Sequence, residues 1–211
     1  MPNWNCNRIT FENLPQEKVE EIKTHLKSGD LLAHYLPEPD WANLPNEDGE
    51  LPQEITKTLQ NGKTYTCNNF PSGKNDERWY SWRVNNWGVK WDIVESWNID
   101  TDENTINFYC DTPWGPPVEA LNQISYILSC KITNRYYEEG MDFWGVETYV
   151  DGVSSVLGVG NVSGLVDEYF EKHHPNLNVD DNDDEYYDIR NEVLGDLIEG
   201  EFDKCEALMV A

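Results

Sequence analysis

The sequence predicts an α+β protein, and three observations carry that expectation. Two segments repeat apolar residues at helical spacing, several others alternate apolar and polar residues as half-buried strands do, and the two kinds interleave as β-α-β-β-α-β with one further strand. A content of 38% hydrophobic and 12% aromatic residues in 211 is enough to build a core around them.

The first strand is predicted at Arg8 to Leu14, where Ile9 and Phe11 alternate with polar residues. A helix follows over Pro15 to Ser28. Proline suits its first turn, Glu17 adds early negative charge, Val19, Ile22 and Leu26 recur at three and four residues, and Gly29 stops the run. From Asp30 to about Asp76 the periodicity dissolves into Pro37, Pro39, Pro45, Pro52, Gly62 and Pro71, with a short apolar-periodic piece around Leu51 to Leu59. This stretch reads as an insertion. It carries seven carboxylates between Lys27 and Lys57 with no lysine or arginine among them, which makes it an acidic surface.

Four tryptophans fall between Trp79 and Trp91 at a spacing that mixes helical and extended steps, with Gly88 marking the change. Trp91 to Ile99 and Thr105 to Asp111 are predicted to pair as a hairpin across Asp100 to Asn104. Pro116 and Pro117 open a second helix bearing Val118, Leu121, Ile124, Ile127 and Leu128. Two more strands follow, Lys131 to Glu138 and Phe143 to Asp151. This order is that of a ferredoxin-like sandwich, in which two helices cover one face of an antiparallel sheet.

The composition changes after that domain, which is placed at residues 1–151. From Asp151 onward there are sixteen acidic and three basic residues, a net −13 of the total −25. The expected extension over 152–211 is mainly helical: a short helix at Val162 to His174, a loop, and an amphipathic helix from Glu185 to Leu208. That last helix presents Ile189, Val193, Leu197, Ile198 and Phe202 on one side.

Four separated motifs bear a resemblance to a known family. Met1-Pro-Asn-Trp-Asn-Cys-Asn7, Asn86-Trp-Gly-Val-Lys-Trp-Asp92, Thr112-Pro-Trp-Gly-Pro-Pro117 and Tyr137-Glu-Glu-Gly-Met-Asp-Phe-Trp-Gly145 resemble, over about residues 1–150, the YubB-type ferredoxin-like family of plasmids and bacteriophages. The resemblance implies a ferredoxin-like fold and a mobile-element origin. It brings neither a catalytic residue nor a cofactor, and no iron–sulfur cluster is implied, since the five cysteines lack cluster spacing.

Charge narrows the partners. With 40 acidic against 15 basic residues and no segregated basic patch, the chain repels phosphate backbones and anionic membrane surfaces. Five unpaired cysteines suggest a reducing compartment, and Met1 to Arg8 has no basic stretch followed by an apolar run, so a cytoplasmic protein is expected, in the host cell if phage-encoded. A nucleophile elbow, a glycine-rich phosphate loop and an HExxH pattern are all missing, so the sequence does not predict an enzyme.

Two regions are candidates for binding. In the acidic extension, Asp180, Asp181, Asp183, Asp184, Glu185, Asp188, Glu192, Asp196, Glu199, Glu201 and Asp203 are the expected partner contacts. From Asp188 through Glu206, carboxylates recur at three and four residues, which spaces them about 4.5 to 6 Å apart along a helix. Such a line could occupy a channel built for nucleic acid, as a DNA mimic does, or serve only solubility. In the aromatic region, Trp79, Trp82, Arg83 and Lys90 could stack and neutralise a small nucleotide, or simply fill the core.

Metal sites are not predicted. Asp181, Asp183, Glu185 and Glu192 follow calcium-loop offsets but have Tyr186 where glycine is needed; Asp100, Asp102 and Asn104 have Thr105 there; His173 and His174 lack a third ligand. The leading expectation is a non-catalytic counter-defence inhibitor that engages a basic surface of a host protein or nucleoprotein complex, without binding nucleic acid or membrane itself. Nucleotide sequestration is the first alternative and metal-dependent hydrolysis the second.

Overall fold

The computed structural model describes residues 3–175 and 184–210, with the side chains of Glu185 and of 208–210 left undescribed. Strand β1 (Trp4–Glu12) leads into helix α1 (Gln16–Ser28), which buries Val19, Ile22 and Leu26. Gly29 closes the helix in the left-handed region at φ 73°, donating its N–H to the His25 carbonyl. Helix α2 (Leu31–Tyr35) follows, its first free N–H groups, of Leu32 and Ala33, donating to the Asp92 carboxylate at 2.9 and 2.8 Å. Then come β2 (Gln53–Thr58), β3 (Thr64–Asn69), α3 (Arg78–Trp87), β4 (Ser96–Thr101), β5 (Ile106–Pro113), α4 (Val118–Leu128), β6 (Lys131–Glu138), β7 (Phe143–Val150), β8 (Val153–Gly160), α5 (Val162–His173) and α6 (Asp184–Val210).

Six strands form one antiparallel sheet in the order β4-β5-β1-β6-β7-β8. Its first four are the ferredoxin-like core, with β1 and β5 central and the crossover helices α1 and α4 on one face. Inward residues of that face, Ile9, Phe11, Phe108, Ile132 and Tyr149, pack with Ile22, Leu26, Leu121 and Ile124 in a fully buried cluster. The fold class expected from element order is the one observed.

Three stretches differ in detail from the expectation. Residues 91–95 do not belong to the strand, which begins at Ser96, because Asp92 is drawn to the start of α2 and Ile93 is buried in the core. The insertion holds a separate two-stranded hairpin, β2–β3, which the sequence pattern conceals because polar residues occupy both of its faces. Arg78 ties that insertion down: it bonds the Asp76 carboxylate and the carbonyls of Trp41, Leu44 and Pro45, with the Trp41 and Phe70 rings at 5.1 Å. Finally, β8 (residues 153–160) lies in the extension expected to be mainly helical, ahead of the first helix expected there. It is an edge strand whose valines, Val153, Val156 and Val159, are all exposed.

A second core lies on the other face of the sheet. Trp144 and Val146 of β7 meet Val162, Val166 and Phe170 of α5 and Leu194, Ile198 and Phe202 of α6. The buried stripe of α6 includes Leu194 and Cys205, with Ile189 and Leu197 at its flank, whereas Val193 lies outside it. Close approach is built in: a Cβ at Gly158 of β8 would overlap the Cys205 sulfur, so only glycine lets α6 lie this near. Asp142 fixes the start of α5 by accepting the Ser163 N–H and hydroxyl, each at 2.6 Å.

Because Ile198 is 2% exposed inside this second core, Ile198→Ala should lower unfolding stability by about 2–4 kcal/mol through lost contacts and the cavity left behind. Urea unfolding at neutral pH measures this. A helix lying loosely on the sheet would show a change within experimental scatter.

Candidate functional site

The second face of the sheet sets the geometry of the acidic helix. Arg8 of β1 and Arg135 of β6 are directly opposed cross-strand partners. Like charges in that position repel. Glu199 of α6 lies between them, its Oε2 3.3 Å from the Arg8 guanidinium and 3.2 Å from that of Arg135. Glu206 grips Arg135 in a two-pronged pair at 2.8 and 2.7 Å, and Asp203, itself largely exposed, reaches the same group at 3.4 Å. The Phe202 ring lies 5.9 Å from the Arg135 guanidinium.

The line of carboxylates therefore divides in two. Its C-terminal half, Glu199, Asp203 and Glu206, supplies counter-ions to the sheet. Glu201 pairs with Lys204 on the helix itself. The N-terminal half projects past the arginines: Asp184, Asp188, Glu192 and Asp196 are exposed and have no ion-pair partner among the described residues. Arg190 in this half turns to Glu139 at 2.8 Å. Asp180, Asp181 and Asp183, together with the calcium-like pattern that begins at Asp181, lie outside the described residues, as does the side chain of Glu185.

The aromatic region is also brought together. Arg83 lies near the rings of Trp79 and Trp87, at 5.1 and 4.9 Å, and donates to Glu38 at 2.7 Å. The Lys90 ammonium sits among Trp79, Tyr80, Trp91 and Trp114, 4.7 to 5.9 Å from the ring centres. Trp82 packs edge-on against the buried Trp87. Both cations are thus engaged within the chain.

Next to these residues is a cleft of about 440 Å³ lined by Trp4, Trp91, Asp92, Val94, Glu95, Trp97 and Asp111. Sequence reasoning missed it, since its walls come from β1, β4, β5 and the segment before β4. A second cavity, of about 330 Å³, lies between the sheet and α6 and is lined by Arg8, Thr10, Glu12, Lys131, Thr133, Arg135 and Glu206. Its charges are largely internal pairs, Lys131 with Glu12 at 2.8 Å among them.

Groups suited to chemistry are held quiet. The thiols of Cys6 and Cys130 are pushed up by burial to about 11 and about 12 respectively, so both stay protonated near neutrality. All five cysteines are free. Glu147 is buried and accepts from the Tyr136 and Tyr149 hydroxyls at 2.9 and 2.8 Å. Among the described residues no three His, Cys, Asp or Glu side chains converge to hold a metal ion, and no helix is long and apolar enough to cross a membrane.

Residues 90–164 match the family model of a ferredoxin-like domain in Api92-like protein. That stretch runs from Lys90 through β4, β5, α4, β6, β7 and β8 into the first turn of α5. The Thr112–Pro117 and Tyr137–Gly145 motifs fall inside it, Asn86–Asp92 straddles its start, and Met1–Asn7 lies outside. A crystal structure of the protein Api92 from Yersinia pseudotuberculosis aligns over 76% of this chain and 99% of its own, at 12% identity and a TM-score of 0.42. No curated protein matches the chain.

The ion-pair bridge carries a pH signature. The hydrogen bond from Arg135 holds the Glu206 carboxyl below its ordinary value of 4.5. The stabilisation is therefore present above about pH 4.5 and is lost as pH falls through the lower, folded-state value. Arg135→Gln should remove that part of the acid dependence, so the urea midpoint of the variant falls less than that of the wild type between neutral pH and about pH 3. Equal acid sensitivity in both proteins would show that the bridge does not hold α6.

Proposed function

We propose that this chain is a non-catalytic binding protein whose acidic α6 engages a basic surface of a partner protein or nucleoprotein complex. The observation that carries this is the division of the acidic line: its C-terminal half is anchored to the sheet arginines, which presents Asp188, Glu192 and Asp196 on a fixed helix with no counter-ion among the described residues. Carboxylates four residues apart rise about 6 Å along such a helix, near the roughly 7 Å of axis spanned by two phosphate steps of about 3.4 Å along one DNA strand. A surface shaped to receive a nucleic-acid backbone would accept this row. The resemblance to the YubB-type family of plasmids and bacteriophages makes a host defence complex the partner proposed first, and inhibition by occupation the mode.

Nucleotide capture by Trp79, Trp82, Arg83 and Lys90 is the weaker reading. Arg83 is committed to Glu38, and the carboxylates of the adjoining cleft oppose a phosphate.

Charge reversal tests the proposal. Asp188→Lys, Glu192→Lys and Asp196→Lys combined should leave the thermal midpoint unchanged, because these residues touch neither the second core nor the arginines. Glu199 is left in place, since it bridges Arg8 and Arg135. In affinity capture from bacterial lysate, the wild type should retain nucleic-acid-binding proteins that elute with salt, that duplex DNA displaces, and that the triple variant loses at least tenfold, given screening over about 8 Å. Equal capture by the variant, or no displacement by DNA, would remove α6 as the contact.

A further inference from the structure

The cleft beside β1, β4 and β5 combines two features seldom exposed together. Its aromatic wall is open to solvent: Trp4 is 50% and Trp97 39% exposed, and Val94 at the rim is 66% exposed. Trp4 and Trp91 lie 6.0 Å apart in a tilted arrangement, while Trp97 stacks on Tyr109 at 6.4 Å and is held in place by it. The floor and rim are acidic, with Asp92, Glu95 and Asp111. Asp92 is committed to the N–H groups at the start of α2. Glu95 and Asp111 have no ion-pair partner among the described residues.

Asp111 bears the cost of that arrangement: although exposed at its rim, its carboxyl is held above the usual range by partial desolvation, against a lowering hydrogen bond with Cys6, and the field of Glu95 raises it further. A positive group entering the cleft relieves the repulsion. One ring of the cleft already accepts a cation, since the Lys90 ammonium lies 4.7 Å from the Trp91 ring centre.

We infer that this cleft receives an arginine side chain from a basic segment of the partner protein, the guanidinium stacking on Trp4 and Trp97 and pairing with Glu95 and Asp111. A guanidinium suits it better than an ammonium, since its flat face stacks on indole while its edge donates to two carboxylates. A polypeptide suits it better than a small cation because the cleft adjoins the acidic helix: the Cys6 thiol, next to Asp111, also feels the field of Glu199. One basic segment can therefore fill the cleft and run along α6. The inference rests on the proposal that the partner is basic, and it adds where the anchoring residue goes.

The test uses the full chain and a fluorescein-labelled peptide of alternating arginine and glycine, with a matched peptide in which uncharged citrulline replaces each arginine. The arginine peptide should bind at least tenfold more tightly, and titration should shift the indole N–H resonances of Trp4 and Trp97. Glu95→Gln should weaken binding about fivefold with the thermal midpoint unchanged, and Trp97→Ala should weaken it about fivefold while the chain still unfolds in one cooperative transition at a lower midpoint. Wild-type affinity in both variants would overturn the inference. So would equal binding of the citrulline peptide, full displacement by tetramethylammonium at the peptide's own concentration, or a wild-type dimer in sedimentation that Trp97→Ala dissolves. Loss of binding in the Asp188, Glu192 and Asp196 triple variant alone would leave the α6 proposal standing without the cleft. Loss in the cleft variants alone would retain the cleft and remove α6.

Discussion

Two arginines facing each other across adjacent strands define what the rest of this molecule must do. Arg8 and Arg135 are fixed in register by the β1–β6 ladder and cannot separate without breaking it. Left bare, they would form a repelling pair on a sheet face that also exposes apolar residues of β7. Helix α6 answers both needs at once. Glu199 bridges the guanidinium groups while Leu194, Ile198 and Phe202 cover Trp144 and Val146. Neither contribution is independent of the other: the apolar stripe brings the helix close, and closeness is what makes ion pairs around a guanidinium with 13% side-chain exposure stronger than surface ones.

The same contact explains how an overwhelmingly acidic helix can be stably folded. Carboxylates at three- and four-residue spacing repel along a helix. Here half of them are neutralised by the sheet, and the remainder are held on a scaffold whose position is set elsewhere. In the role proposed for it, such a helix would lose little freedom on association, because its order is established before a partner arrives.

The ferredoxin-like core was legible because its signals are local. Ile9 and Phe11 alternate, Val19, Ile22 and Leu26 repeat helically, and Gly29 ends the helix where its left-handed conformation is needed. The hairpin β2–β3 was hidden because strands exposed on both faces have no apolar alternation to read. Strand β8 was hidden because serines and glycines interrupt its valines, and Gly158 is dictated by Cys205, some fifty residues away in sequence. The division of the acidic line could not be read from α6 alone, since helical spacing places Asp188 and Glu199 on the same side. Only the registration of Arg8 against Arg135 decides which carboxylates meet a cation. The aromatic cleft is more remote still, since Trp4, Trp97 and Asp111 converge only once β1, β4 and β5 are side by side.

The exposed valines of β8 give the net charge a further meaning. An edge strand with free backbone groups and apolar side chains is a template for pairing with another copy of itself. A formal charge of −25 opposes such pairing by mutual repulsion, where neither lysine nor proline blunts the edge. That repulsion is a collective property of carboxylates far from the edge. It weakens wherever those carboxylates are neutralised, whether by acid, by concentrated salt or by a cationic partner, and cancelling much of the charge leaves β8 freer to pair.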